Sequence, residues 1–227
     1  MHSWPINISS ARQLCLVAEL ADFYRLLLLM SNVLYGVFFS NPELVGSIPN
    51  HCVELLEASF KLRNKLLFRE CFVHVMGPWN NPRFMNLTEP KLKNLAVEAQ
   101  KKLTSRIMDV QIEQIALTIA GPLNVRGQRA TGSDFGYELA VATSRISQDG
   151  LDSSGKPFMP CYYRNLYDYN FKTHGLKLKE VINPLLKNVL VLDRSGVQAG
   201  QGVYKDAFLF FELTEMQLPW DVNQRVW

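Results

Sequence analysis

Residues 65–76 read KLLFRECFVHVM, and their apolar side chains recur with the spacing of an α-helix. The spacing i, i+1, i+4, i+5, i+8 keeps these side chains on one face of successive helical turns. Gly77 and Pro78 follow directly and predict the end of the helix. The buried face is predicted to consist of Leu67, Phe68, Cys71, Phe72 and Val75.

Two further helices are predicted upstream. Residues 11–24, ARQLCLVAELADFY, are amphipathic and follow a helix cap at Ser9 or Ser10. Residues 25–39, RLLLLMSNVLYGVFF, are apolar nearly all round, which predicts burial inside a bundle or against a partner. The uncharged run from Leu26 to Pro42 falls short of the roughly 20 mostly apolar residues that span a bilayer. A buried helix is therefore predicted here rather than a membrane span.

The next amphipathic pattern is HCVELLEASFKLRN, residues 51–64, and Asn50 is its predicted cap. Glu57 and Lys61 lie four residues apart and are predicted to pair on the outer face. The inward face is predicted to comprise Val53, Leu56 and Phe60, widened by Leu55 and Ala58.

The longest helical pattern runs from Lys91 to Ala120, between a predicted cap at Thr88 and a break at Gly121-Pro122. A helix of about 30 residues is long for a globular protein, so a kink is predicted near Thr104-Ser105. Its apolar side is predicted to comprise Leu92, Leu95, Ala96, Ala99, Leu103, Ile107, Val110, Ile112, Ile115 and Ala116.

The chain changes character after Gly121. Residues 123–136 form a polar, glycine-dotted linker, and residues 137–146 read as a short helix or strand. In KEVINPLLKNVL, residues 179–190, Pro184 predicts a helix that starts near Asn183 or is kinked there. The patterns together predict a mainly α fold, a helical bundle with a looser, mixed C-terminal part. The predicted segments are 1–40, 41–120 and 121–227.

Composition limits the class of protein. The chain has 227 residues, of which 48% are hydrophobic and 20% charged, which is typical of a globular protein with a sizeable core. A net charge of +3 does not favour nucleic-acid binding. The opening MHSWPINISS lacks the basic and apolar regions of a signal peptide. Four cysteines without a CxxC pair favour free thiols in the cytoplasm or nucleus: Cys15, Cys52, Cys71 and Cys161.

Cys71 and His74 are the candidates for thiol chemistry, as in a hydrolase or transferase. A nucleophilic cysteine needs a base within hydrogen-bond reach and a third group that orients the base. Three residues apart on a helix, the two side chains lie on adjacent faces, and the stripe position of Cys71 favours a buried thiol. His74 is predicted to be a helix-end histidine favoured by the helix dipole. Arg69 and Glu70 are predicted to face solvent or a capping group.

A zinc site could draw on His51, Cys52, Cys71 and His74. The adjacent His51 and Cys52 would point about 100° apart on a helix, which disfavours such a site. No catalytic, metal-binding or cofactor-binding residue is therefore assigned.

Three further features favour structural roles. The glycines of 196–202 lack the Gly-Lys-Ser/Thr of a phosphate loop and predict a turn. The basic face Lys91–Arg106 is a weak nucleic-acid candidate, diluted by acidic neighbours. The tyrosines of 162–169 and the corner residue Trp79 are predicted to pack in the interior.

Three stretches resemble the region that follows the BTB/POZ fold in fungal BTB-domain proteins. They are VAELADFYRLLLLMSNVL at 17–34, LLEASFKLRNKLLFRECFVHVMGPWNNPRF at 55–84, and KDAFLFFEL with LPWD at 205–213 and 218–221. In that family a helix pair closes the BTB domain, and a KLR…LFRE helical segment and a GPW turn follow. The resemblance supplies no catalytic residue.

The resemblance also implies a departure from the family, because residues 13–39 resemble the closing helices and the preceding strands are absent. We therefore expect a shortened form with an exposed apolar surface around Leu26–Leu29 and Phe38-Phe39. The resemblance implies a non-enzymatic protein–protein interaction module, an adaptor or scaffold that self-associates or binds other proteins. Contact with a cullin-type ubiquitin ligase is disfavoured, because it draws on the absent half.

Overall fold

The computed structural model describes residues 8–79, 81–120, 133–145, 150–151, 153–156, 158–172, 174–193, 195–205, 208–214 and 217–221. Within these residues the chain forms nine α-helices and no extended strand, which confirms the mainly α fold. The helices are α1 Ala11–Phe23, α2 Leu27–Ser40, α3 Pro42–Ser47, α4 Cys52–Lys61, α5 Lys65–Met76, α6 Pro90–Ala120, α7 Ser133–Ser144, α8 Met159–Asp168 and α9 Gly175–Leu186.

The chain divides into two compact units. The first comprises Met1–Glu98, Val189–Gly196 and Glu212–Trp227, and the second comprises Ala99–Asn188 and Val197–Phe211. The first unit is thus closed by two segments that come from late in the chain. Most of the linker predicted at 123–136 lies outside the described residues.

The core of the first unit lies between α4 and α5. Every apolar residue predicted on the stripe of α5, from Leu67 to Val75, is buried. Leu55 and Leu56 of α4 are likewise fully buried, whereas Phe60 is half-buried. The Phe68 and Phe72 rings stack with their centroids 6.0 Å apart, so successive turns of α5 contribute neighbouring rings to this core.

Polar side chains fix where the first helices begin. The Ser10 hydroxyl accepts a hydrogen bond from the Gln13 N–H, which makes Ser10 the cap of α1. Asn64 caps α5 by accepting from the Leu67 N–H at 2.9 Å. Its amide also donates to the Ser31 carbonyl at 2.9 Å, which ties the start of α5 to α2.

Two predicted caps, Asn50 for α4 and Thr88 for α6, were wrong. Asn50 ends a 3-10 turn at Ile48–Asn50, and α4 then starts without any side-chain cap. Glu57, predicted to pair with Lys61, instead accepts from the Thr88 N–H at 2.6 Å and the Thr88 hydroxyl at 2.7 Å. Thr88 therefore acts as a donor to α4 just before α6 begins at Pro90. The pattern of a single helix does not reveal such a long-range acceptor.

Helix α6 continues for 31 residues through Thr104-Ser105, the site of the predicted kink. The Thr104 hydroxyl donates to the Gln100 carbonyl at 2.9 Å within the unbroken helix. Ile112 and Ile115 are 64% and 59% exposed, so their predicted burial was wrong, as it was for the exposed Ala116. The buried stripe follows three- and four-residue spacing on the opposite side: Leu92, Ala96, Ala99, Leu103, Ile107, Val110, Gln114 and Leu117.

The second unit packs α7, α8 and α9 around Phe135, Tyr163 and Leu178, all fully buried. The sequence predicts either a helix or a strand for residues 137–146, and the structure places 137–144 in helix α7. The predicted helix start near Asn183 was wrong, because α9 begins at Gly175 and carries Pro184 in its last turn. There the proline interrupts only a helix that ends two residues later.

Candidate functional site

Helix α5 buries both members of the predicted thiol–histidine pair. Cys71 is 0% exposed and His74 is 4% exposed. Burial raises the pKa of the Cys71 thiol well above its ordinary value and lowers the pKa of His74 to about 4. His74 lies in the last turn of α5, as predicted, and desolvation together with the nearby Arg83 lowers its pKa although Asp193 raises it. A protonated, inaccessible thiol lacks the thiolate that nucleophilic catalysis requires.

Glu70 was predicted at solvent or at a capping group, and it is buried. Its carboxylate accepts from the backbone N–H groups of Val191 at 3.0 Å, Leu192 at 3.2 Å and Asp193 at 3.0 Å. These bonds anchor the late segment Val189–Gly196 to α5 within the first unit. Burial outweighs the three hydrogen bonds and raises the pKa of Glu70. No local pattern could reveal this contact, because the partners lie more than a hundred residues apart.

The zinc candidates are not brought together. His51 is exposed, whereas Cys52 is buried beside Arg83, with 3.4 Å between its Sγ and the arginine Nη1. Among the residues that the structure describes, no group of three or more His, Cys, Asp or Glu side chains is placed to hold a metal ion.

Trp220 packs against the core of the first unit, and the sequence did not predict this contact. Its ring meets the Phe68 ring edge-on at 4.9 Å and lies 6.3 Å from Phe60. Trp79, predicted to be buried, is half-exposed. The signal for Trp220 was its place in the apolar LPWD ending, but only the fold brings that ending to α5.

The glycine turn serves packing within the second unit. Gly200 has a φ of +82°, and a Cβ there would lie 2.6 Å from the Arg164 Cβ and 2.7 Å from the Pro160 carbonyl oxygen. Only glycine combines this conformation with so close an approach to α8. The turn therefore has a structural explanation without a phosphate.

The tyrosines of the second unit are also engaged in packing. Tyr163 is fully buried, and burial raises its pKa to about 12. The guanidinium of Arg164 and the ammonium of Lys179 each lie 5.5 Å from the Tyr167 ring centroid. These cations stack on a neighbouring ring of the same unit, as in cation–π packing.

The basic residues of α6 lie in solvent. Lys91, Lys93, Lys101, Lys102 and Arg106 are all exposed along the helix. The exposed Glu98 interrupts the series, and the Arg106 guanidinium lies 5.7 Å from the Phe211 ring centroid. This arrangement is a solvated helix surface of mixed sign.

A cleft of about 460 Å³ lies between α1 and α4 in the first unit. Small side chains such as Ala18 and Ala58 line it together with charged groups. Burial raises the pKa of Cys15 in this cleft, and the carboxylates of Glu54 and Glu19 raise it further. The Cys15 thiol is therefore not activated as a nucleophile.

Of the twenty large apolar residues that are exposed in the described part of the chain, ten lie on α1, α2 and the corner between them. We call this set of residues the outer α1–α2 face. Sequence reasoning predicted exposure around Leu26–Leu29, which is confirmed for Leu26, Leu28 and Leu29, but Phe38 is buried. The burial predicted for α2 applies to only one side. The face consists of Leu16, Leu20, Phe23, Tyr24, Leu26, Leu28, Leu29, Val33, Tyr35 and Phe39, each at least 36% exposed.

No helix in the described part of the chain is long and apolar enough to cross a membrane. Comparison with protein-family models, curated proteins and solved structures found no match.

Proposed function

We propose that this protein is a non-enzymatic interaction module that binds protein through its outer α1–α2 face. The carrying observation is that half of the large apolar residues exposed in the described structure lie between Leu16 and Phe39. Monomeric proteins rarely expose apolar patches larger than a few hundred Å², and larger patches mark interaction sites.

The buried state of Cys71 and His74 supports an interaction role over a hydrolase or transferase. Catalysis by that pair would require an accessible thiolate and a base of suitable pKa. Burial opposes both, since it raises the pKa of the thiol and lowers that of the imidazole to about 4.

The resemblance of residues 17–34 and 55–84 to the post-BTB region of fungal proteins agrees with an adaptor or scaffold in the cytoplasm or nucleus. The proposal does not extend to a cullin-type ubiquitin ligase. The mixed charge of α6 gives nucleic-acid binding no comparable support.

A photo-crosslinking amino acid at Phe23 or Leu29 tests the proposal in cells that express the whole chain. A matched variant carries the same group at Tyr137, which is 72% exposed and belongs to the second unit. We expect discrete protein adducts from both face positions and none of the same mass from Tyr137. Absence of adducts from the face, or identical adducts from all three positions, would contradict the proposal.

A further inference from the structure

We infer that the cleft between α1 and α4 is a binding site for a small organic cation, an ammonium or guanidinium group on a compact apolar body. The cleft shares no residue with the outer α1–α2 face and takes a small molecule instead of a protein, so this site goes beyond the proposed function. Three features support it: the shape and apolar floor of the cleft, the carboxylates on its walls, and the sign of the potential inside it.

The cleft exists because each wall has a small residue between two charged ones. On α1 the row is Arg12, Cys15 and Glu19, and on α4 it is Glu54, Ala58 and Lys61. The three- and four-residue spacing keeps each row on one face of its helix. The short side chains in the middle of the rows leave a space of about 460 Å³, which is within the range of small-ligand sites.

The floor of the cleft is apolar. Ala11, Ala18 and Ala58 line it, and all three are buried. An apolar body that covers these methyl groups is removed from water with them, which favours binding in proportion to the area covered. A hydrated metal ion gains nothing from such a floor, and no group of three or more His, Cys, Asp or Glu side chains in the described residues is placed to hold one. The cleft therefore suits an organic cation.

One carboxylate on each wall is available to a ligand. Among the described residues, the side chains of Glu19 and Glu54 take part in no hydrogen bond or ion pair. Glu57 is the third carboxylate of the cleft, and it already accepts from the Thr88 N–H and hydroxyl. Each of the two available carboxylates can accept charge-assisted hydrogen bonds from an ammonium or guanidinium group.

The potential inside the cleft favours positive charge. The half-buried Cys15 thiol reports this potential, because nearby negative charge opposes its ionisation. Burial raises the pKa of Cys15 most, and the carboxylates of Glu54 and Glu19 each raise it by more than the Lys61 ammonium lowers it. Arg12 and Lys61 are exposed, each at one end of its row. A cation beside the thiol is therefore attracted, and the walls of a cleft focus such a field.

The test is a titration of the isotope-labelled full chain with benzylamine, a protonated amine on a single apolar ring, followed by two-dimensional NMR. We expect saturable shifts of the amide signals of Cys15, Ala18 and Ala58, with a dissociation constant of about 1 mM or below. Benzyl alcohol has nearly the same shape without the charge, and it should bind about threefold more weakly or worse.

Charge variants should change the affinity for benzylamine in opposite directions. Glu19→Gln and Glu54→Gln should each raise the dissociation constant about threefold or more, because each removes an attracting carboxylate. Lys61→Gln should lower it by about the same factor, because it removes a competing cation. Glu43→Gln is the matched control, since Glu43 is exposed on α3 outside the cleft, and it should bind like the wild type. Circular dichroism should show the wild-type helix content in every variant.

Several results would overturn the inference. Shifts that stay linear in benzylamine, or that spread over the second unit, would show non-specific attraction. Equal binding of benzyl alcohol would show that the cleft recognises only the apolar ring. Equal weakening by the Glu43 and Glu54 variants would show that overall charge, and not the cleft, decides the affinity.

Discussion

Acidification should destabilise the first unit through His74. The imidazole is 4% exposed, and burial lowers its pKa from 6.5 to about 4. The unfolded chain therefore binds a proton between these two pH values that the folded chain does not. Stability consequently falls as the pH drops through this window and is retained above it.

The magnitude follows from the gap between the two pKa values. A full gap of this size corresponds to about 3 kcal/mol, reached below pH 4. Between pH 7 and pH 5 the imidazole alone should lower the free energy of unfolding by about 2 kcal/mol. Glu70 acts in the opposite direction, because its raised pKa makes stability fall as the pH rises. The effect of His74 must therefore be read from a variant.

The assay is urea unfolding of the wild type and His74→Gln at pH 7 and pH 5, followed by circular dichroism. The glutamine cannot titrate, so the wild type should lose about 2 kcal/mol more than the variant on acidification. His51→Gln is the matched control, because His51 is exposed, and it should keep the wild-type pH dependence. A difference below about 0.5 kcal/mol between wild type and His74→Gln would refute the reasoning.

Three further predictions concern the same unit. Phe68→Ala should lower the free energy of unfolding by about 3–5 kcal/mol, because it opens a cavity against Trp220, and a urea-melt loss below about 1 kcal/mol would contradict this. Glu70→Gln should destabilise by about 1–3 kcal/mol and speed hydrogen exchange at the amides of 191–193, whereas wild-type exchange there would refute the anchor. In native protein a maleimide should label half-exposed Cys15 before Cys71, which should react only after unfolding; rapid labelling of Cys71 would revive the enzyme hypothesis.

The helical elements could be predicted because their signals are local. The stripe of α5, the cap at Ser10 and the break after Met76 each depend on side chains within two turns. The prediction failed where a helix has more than one apolar side. Ile112 and Ile115 continue the apolar composition of α6 but face away from its buried stripe.

The candidate site was predicted only in part, for the same reason. The uncharged composition of 26–39 predicted an apolar helix, and exposure at Leu28 and Leu29 was anticipated from the resemblance. The contribution of α1, through Leu16, Leu20 and Phe23, was not anticipated, because an amphipathic helix does not reveal that its second side also carries large apolar residues in solvent.

By itself the sequence determined that this protein is helical, where α1, α4, α5 and α6 lie along the chain, and which faces carry apolar side chains. Hydrogen bonds within a helix and caps involve neighbouring residues, so the residue types decide them. Only the tertiary structure decided which apolar face is buried and which polar groups meet. Glu70 binds the amides of 191–193, and Phe68 packs against Trp220, across gaps of more than a hundred residues. Burial is a property of what packs on a face, and that depends on the whole chain.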